Sequence, residues 1–298
     1  MSAQSSEVTR PEKVLFPEAE VTKADLAAYF DQVAEVILPH LAGRPLVLRR
    51  YPDGVDSQGF VQQQASQRVP NFVDTETVAA DNDRGDVRHV VANDVDTLRY
   101  LANQACLELH RWLSRADRTD HPDLLVLDLD RPSSVDLAPL RRTARTAAEL
   151  FEQIGLTPYL MATGSTGYHV VAPLDRSADF AEVRQLARAI AERMAADAPD
   201  ELTTEQRVAK RGGRIFLDTN RNAYGQTAIA PYSPRARPGA PVATPLEFAE
   251  LSRARPDQYD LRGIRRRLAR KDDPWAHLFD HAAAARQAHT KLNQLDGR

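Results

Sequence analysis

"PDLLVLDLDRP" (residues 122–132) runs apolar from Leu124 to Leu127, presents Asp128 and Asp130 one residue apart, and stops at a proline. A short apolar run bounded by a turn signal predicts a strand fit for burial. In a strand, residues two apart point to one face, so the two carboxylates lie side by side while Leu127 and Leu129 point the other way. Two like charges that close persist ionised only if something positive sits between them; otherwise one takes up a proton. A divalent metal is the usual solution, and carboxylate-plus-water ligation favours magnesium or manganese over zinc. The competing reading is a solvated strand end with Asp130 capping the turn at Pro132, and a D-x-D alone does not separate the two.

Working outward, the chain alternates helical and extended patterns, which predicts a mixed α/β (α+β) fold with a central sheet. "TKADLAAYFDQVAEVIL" (22–38) predicts a helix, with Thr22 and Asp25 at capping-box spacing, one face carrying Leu26, Tyr29, Phe30, Val33 and Ile37, and a stop at Pro39. "PLVLRRYPDG" (45–54) predicts a strand entering a turn, and "DNDRGD" (81–86) a hairpin tip or exposed loop. "NDVDTLRYLANQACLELHRWLSRA" (93–116) keeps apolar residues at 95, 98, 101, 102, 105, 109, 112 and 113, which predicts one long helix. Beyond the D-x-D strand come a helix from 138 to 155 ended by Gly155, strands "YLMATG" and "YHVVAPL", a helix from 180 to 198, the strand "RIFLD", and a proline-rich connection from 234 to 245. The residues after Pro274 predict a peripheral helix or tail.

The 298 residues carry 39 Lys plus Arg against 42 Asp plus Glu, which argues against a protein that coats nucleic acid by bulk attraction. The charge is unevenly spread. Cations cluster in "RRTAR" (141–145), "RVAKRGGR" (207–214), "PRARP" (234–238) and "RGIRRRLARK" (262–271), and acids in "DTETVAADNDRGD" (74–86). The single cysteine, Cys106, lies in the apolar helical pattern and reads as a small core side chain, which argues against disulfides and thiolate zinc. No run of about 18 apolar residues and no leader pattern occurs, so a cytoplasmic address is expected.

Three features strengthen the metal reading. "ATGSTGYHVV" (162–171) sets Thr163, Gly164, Ser165 and Thr166 in a tight turn before a strand carrying His169, an arrangement that can bind anions through backbone N–H groups and the imidazole. "GRIFLDTN" ends a second apolar strand in Asp218, a third carboxylate. Lys210, Arg211 and Arg214 precede it, and Arg221 and Arg235 follow. Acid at the centre with cations around it suits a metal and a triphosphate.

The ordered motifs "KVLFP", "LPHLAGRP", "LRRYPDG", "CLELH", "PDLLVLDLDRP", "TGSTGYHVV", "GRIFLD", "RNAYGQT" and "PYSPRARPGAPVATPL" resemble the polymerase domain of bacterial DNA ligase D, in the archaeo-eukaryotic primase superfamily. The resemblance covers residues 10 to about 275. It implies a primase-polymerase fold with two β-sheets forming a central cleft flanked by helices. The catalytic domain is expected over 1–275, with an N-terminal lobe to about 120, a metal-bearing lobe over about 121–250, and a C-terminal helix or tail at 276–298.

Carried over residue by residue, the resemblance makes Asp128, Asp130 and Asp218 the ligands of two Mn2+ or Mg2+ ions, with His110 beside them as an active-site histidine. Arg49, Arg211 and Arg235 become triphosphate contacts, with Arg50 and Arg221 close by in the same motifs. Thr163, with Gly164 after it in the same turn, and His169 become phosphate contacts. Lys13 and Lys23 become a pocket for the 5′-phosphate across a DNA gap, and Phe60 a ring that stacks on the template. Two departures stand out. Where the family reads Phe-Phe-x-Lys, this chain has Phe60, Val61, Gln62 and Gln63, and Thr166 replaces a lysine of the phosphate loop. Each missing cation weakens nucleotide binding by on the order of 1 to 3 kcal/mol.

The reaction so implied is two-metal phosphoryl transfer from a nucleoside triphosphate, ribonucleotides preferentially, to a primer 3′-hydroxyl at DNA gaps or ends. A DNA-end or 5′-phosphate-binding repair protein with little polymerase activity is the alternative, motivated by Gln63 and Thr166. A D-x-D glycosyltransferase would use a nucleotide sugar, and a haloacid dehalogenase-type phosphatase is disfavoured because Arg131 and Pro132 follow the motif. Neither a K-x-D-G nucleophile nor a G-K-[ST] loop occurs, so a stand-alone polymerase is expected, monomeric, off the membrane and nucleoid-associated, with Ku and a separate ligase as partners.

Overall fold

The computed structural model describes residues 7–79 and 85–296. Two compact units form: Met1–Trp112 with Ile229–Thr244 and Tyr259–Asp273, and Leu113–Ala228 with Pro245–Gln258 and Pro274–Arg298. The fold is mixed α/β, with two six-stranded sheets. No helix among the described residues is long and apolar enough to cross a membrane.

The first sheet orders its strands Thr227–Ile229, Cys106–Trp112, Leu46–Arg50, Val87–Val90 and Thr75–Val78, with Phe60–Gln62 also paired to Leu46–Arg50. Against it pack the helices Lys23–Leu41 and Val95–Asn103, whose Leu26, Phe30, Ile37, Leu98 and Leu101 are fully buried in one cluster with Leu46, Leu107 and Leu109. The Thr22–Asp25 capping box forms as expected, with reciprocal bonds of 3.2 and 2.9 Å. Pro39 does not end this helix, which runs on to Leu41. A proline so close to the C-terminus costs one hydrogen bond in the last turn, and Ala42 N–H still closes on Leu38 O at 2.8 Å. The strands Thr75–Val78 and Val87–Val90 pair antiparallel, while residues 81–84 of the tip expected over 81–86 lie outside the described residues.

The long helix expected over 93–116 is wrong in its second half. Helix holds only for Val95–Asn103, and Cys106–Trp112 is a strand in the middle of the sheet. Ala105, at φ +53°, takes the left-handed conformation that breaks the helix. Cys106 therefore sits in a strand, fully buried, and burial pushes its thiol up to about 12, an inert core group.

The second sheet orders Leu202–Thr203, Ile215–Asp218, Leu124–Asp130, Tyr168–Pro173, Tyr159–Ala162 and Thr244–Leu246. The D-x-D strand is its centre. Leu124, Val126, Leu125, Leu127 and Leu129 are all buried at 0–1% exposure, so both faces are covered up to the carboxylates. Helices Leu137–Gln153 and Phe180–Asp197 bury Leu140, Ala147, Phe151, Val183, Leu186 and Ile190 in the same unit. Gly155, at φ +84°, terminates the first of them as its sequence predicts. The residues past Pro274 include the helix Ala285–Asp296.

Candidate metal and nucleotide site

Strand register builds the acidic centre. Asp128 lies opposite His169 on one neighbouring strand and opposite Asp218 on the other, so three adjacent strands line up His169, Asp128 and Asp218 in one row. Asp130 follows two residues on, on the same face. Ligand atoms of Asp128, Asp130 and Asp218 all come within 4.8 Å of one another. Asp128 is 5% exposed and Asp218 8%.

The electrostatics fit a cation. Burial, then the charges of Asp128 and Asp218, push Asp130 up to about 6. Burial also opposes ionisation of Asp128, but the neighbouring His169 and the Arg221 guanidinium hold its carboxyl below the ordinary value. Arg221 Nε stands 3.4 Å from Asp128 Oδ2, and His169 Nε2 stands 3.4 Å from Asp128 Oδ1. That Oδ1 atom is buried and accepts no hydrogen bond of good geometry. An orphaned carboxylate oxygen inside a three-carboxylate cluster is what a hard divalent ion with oxygen ligands would satisfy.

The raised Asp130 gives a testable sign. A carboxyl with a higher folded than unfolded pKa loses stability as pH rises through about 4 to 6, and Asp128 acts only below that window. In chelator, Asp130→Asn is therefore expected to raise the melting temperature by on the order of a few degrees near pH 7.5, with the gap roughly halved near pH 5 and closed below about pH 4. A melting temperature below wild type at the higher pH would contradict this account.

The residues of the 163–167 turn sit beside the centre. Thr163 Oγ1 donates to Gly167 O at 2.9 Å, and Gly164 N–H donates to Pro256 O at 2.8 Å. Thr163 N–H also closes on Gly167 O, so among the described residues only Ser165 and Thr166 keep loop N–H groups without an intramolecular bond. A Cβ on Gly167 would collide with the Leu129 carbonyl oxygen, so only glycine lets the loop approach the D-x-D strand this closely. Arg211 lies 3.6 Å over the Phe216 ring and donates to Glu205 O and Gln206 O, both at 3.1 Å. It lines a pocket of about 310 Å³ with Asp130, Arg131, Thr166 and Arg214.

In the first unit, the remaining candidates divide into three groups. Arg49 and Arg235 both turn to the buried Glu108, at 3.3 and 3.2 Å, and His110 Nε2 lies 2.8 Å from the same side chain. Arg50 donates to Gln104 O and Oε1 and to Gln62 Oε1, with its guanidinium 5.2 Å over the half-exposed Phe60 ring. Lys23 is buried and donates to Thr9 O at 2.7 Å and Asn103 Oδ1 at 3.2 Å, while Lys13 pairs with Asp53 at 2.7 Å. Burial and the neighbouring Arg10 and Lys13 lower the Lys23 pKa.

Residues 22–275 match the family described as LigD, primase-polymerase domain. The chain belongs to that family. Membership carries the chemistry with it: a LigD primase-polymerase domain is a DNA-dependent nucleotidyltransferase. The chain is 33% identical over 292 residues to the multifunctional non-homologous end joining DNA repair protein LigD of Mycobacterium tuberculosis, covering 95% of this chain and 38% of that protein. With the Pseudomonas aeruginosa LigD it shares 28% over 295 residues, 98% of this chain and 34% of that one. With the Bacillus subtilis bifunctional LigD it shares 32% over 244 residues, 82% and 39%. The chain thus spans well under half the length of these relatives. Among solved structures, the polymerase domain of Mycobacterium tuberculosis ligase D in complex with DNA aligns at a TM-score of 0.86 and 32% identity, covering 92% of this chain and 98% of that one.

Two residues of this LigD-family chain escaped the sequence reading. Glu108 was hidden by the helix assignment, although its place two residues before His110 puts both on one strand face. Asn222 reads as an ordinary loop residue, yet it is fully buried and bonds the D-x-D strand.

Proposed function

We propose that the chain is a DNA-repair polymerase that adds nucleotides, ribonucleotides preferentially, to a primer 3′-hydroxyl at gaps or ends in non-homologous end joining. The convergence of Asp128, Asp130 and Asp218 within 4.8 Å carries the reading. These three carboxylates would hold two Mn2+ or Mg2+ ions, which supply Lewis-acid charge to the attacking and leaving oxygens. Arg221 and His169 brace Asp128, and Arg211 and Thr166 line the adjoining pocket, a cationic wall suited to a triphosphate. In the first unit, Arg49 and Arg235 offer guanidinium forks to phosphates, Lys13 and Lys23 take the 5′-phosphate of a gap, and Phe60 offers a stacking face. Ku and a ligase are the partners this role calls for, with the nucleoid as its place of work.

Incorporation on gapped, 5′-phosphorylated DNA tests the reading, with ribo- and deoxyribonucleotides in magnesium and in manganese. Metal-dependent extension, higher with ribonucleotides, is the expected result. Gap binding without extension in either metal would instead favour an end-binding role, in keeping with Gln63 and Thr166 at the two positions where the family carries lysine.

A further inference from the structure

The first unit buries a charge for which the proposed chemistry has no direct use. Glu108 is 1% exposed in the middle of a strand, between the fully buried Leu107 and Leu109. Its Oε1 accepts from Arg235 Nε at 3.2 Å and Ala236 N–H at 2.9 Å, and its Oε2 faces Arg49 Nη1 at 3.3 Å and His110 Nε2 at 2.8 Å. Burial alone would favour the neutral acid. The His110 hydrogen bond, the charge of Arg235 and the Ala236 N–H outweigh it and hold the carboxyl down at about 2.

An ionised carboxylate only accepts, so each of the four groups around it has to donate. For His110 this fixes the hydrogen on Nε2 and confines any proton exchange to Nδ1. For Arg49 and Arg235 it pins one edge of each guanidinium plane and so sets where the rest of the fork points. The accessibility gradient runs the same way: the Glu108 side chain is 2% exposed, while its partners Arg235, His110 and Arg49 are 16%, 18% and 42% exposed. A carboxylate placed beneath two outward guanidiniums and an imidazole donor is poor design for stability alone, because an apolar residue there would avoid the desolvation cost.

We propose that Glu108 is a positioning residue for nucleotide transfer, fixing the guanidinium planes of Arg49 and Arg235 for phosphate binding by the first unit and holding His110 in its Nε2–H form. The inference rests on the polymerase reading above. Two measurements test it on the full chain: long-range 1H–15N spectra of the His110 ring, and steady-state ribonucleotide incorporation on gapped DNA with Mn2+. Wild-type His110 is expected to carry its hydrogen on Nε2; an Nδ1–H tautomer with bare Nε2 overturns the proposal, whether or not the protein extends DNA. Glu108→Gln keeps one accepting oxygen but turns an NH2 group against donors, so it should mix the His110 tautomers and raise the nucleotide KM by about tenfold or more. Glu108→Asp, which keeps the charge with a shorter reach, should restore the tautomer while recovering KM only in part. A folded Glu108→Gln protein with a wild-type tautomer and a KM within about twofold overturns the inference. An inactive wild type whose His110 still shows Nε2–H, lost in Glu108→Gln, would sink the polymerase reading and leave the positioning role of Glu108 standing.

Discussion

Replacing Asp128 and Asp130 together by alanine is expected to abolish primer extension in magnesium and in manganese, while binding to a 5′-phosphorylated gap stays largely in place. The two carboxylates are two of the three oxygen donors that converge within 4.8 Å, and Asp218 alone offers a divalent ion one residue. Losing charge stabilisation at the reacting oxygens removes several kcal/mol from the transition state, a rate loss of at least about 10³-fold. The fold should tolerate the change. Both residues lie at the end of their strand, Asp130 is held at a cost against Asp128 and Asp218, and the apolar residues from Leu124 to Leu129 are untouched. Gap binding is expected to survive because Lys13 and Lys23, proposed above to take the 5′-phosphate, belong to the first unit and take their order from Asp53, Thr9 and Asn103. Single-turnover extension and gel-shift titration on the same gapped substrate measure both halves of the claim. Extension retained by the double variant in manganese would remove the three-aspartate assignment.

What could be read in advance from the chain was local. The capping box at Thr22 and Asp25, the period-two pair at Asp128 and Asp130 and the stop at Gly155 each depend on residues a few positions apart, and each forms. The segment 93–116 failed because it is dense in apolar residues and satisfies two periods at once. Its residues 95, 98, 101 and 102 are a helix stripe, while the alternation of Cys106, Glu108 and His110 with Leu107 and Leu109 is that of a strand. Only the positive φ at Ala105 separates the two, and nothing about an alanine announces it. The tight turn at 163–167 was legible as a turn, but Gly164 donates its N–H to Pro256, more than ninety positions away, and no local pattern encodes that. Long-range register is the common element: Asp218 was identifiable as a third carboxylate, whereas its pairing opposite Asp128 comes from the strand order.

That register depends on a side chain, and removing it should have the largest structural effect of any single change near the site. The strand bearing Asp218 pairs with the D-x-D strand only at Asp128, Leu129 and Asp130. Two residues before Asp128, the Asn222 side chain takes over the next rung at Val126: its Oδ1 accepts from Val126 N–H at 2.8 Å and its Nδ2 donates to Val126 O at 2.7 Å. The same Nδ2 reaches Thr219 O at 3.0 Å, which ties the turn after Asp218 back on itself. Asn222 and Val126 are both buried, at 0 and 1%, so Asn222→Ala leaves a backbone donor and acceptor unpaired in the core. At about 1–3 kcal/mol for each orphaned group, the loss is on the order of 3–5 kcal/mol, a fall in melting temperature of roughly 5–10 °C. Because Asn222 fastens the segment following Asp218 to the strand that carries Asp128, the spacing of the three carboxylates should loosen as well. Manganese affinity by calorimetry is therefore expected to drop by about tenfold or more in the folded variant, as happens when groups that orient metal ligands are lost. Asn222→Asp keeps the acceptor for Val126 N–H but sets a carboxylate oxygen against Val126 O, so it should fare no better than alanine. An alanine variant that melts with wild type and binds manganese within about twofold of it would mean that the backbone pairing at Asp128–Asp130 alone holds Asp218 in place.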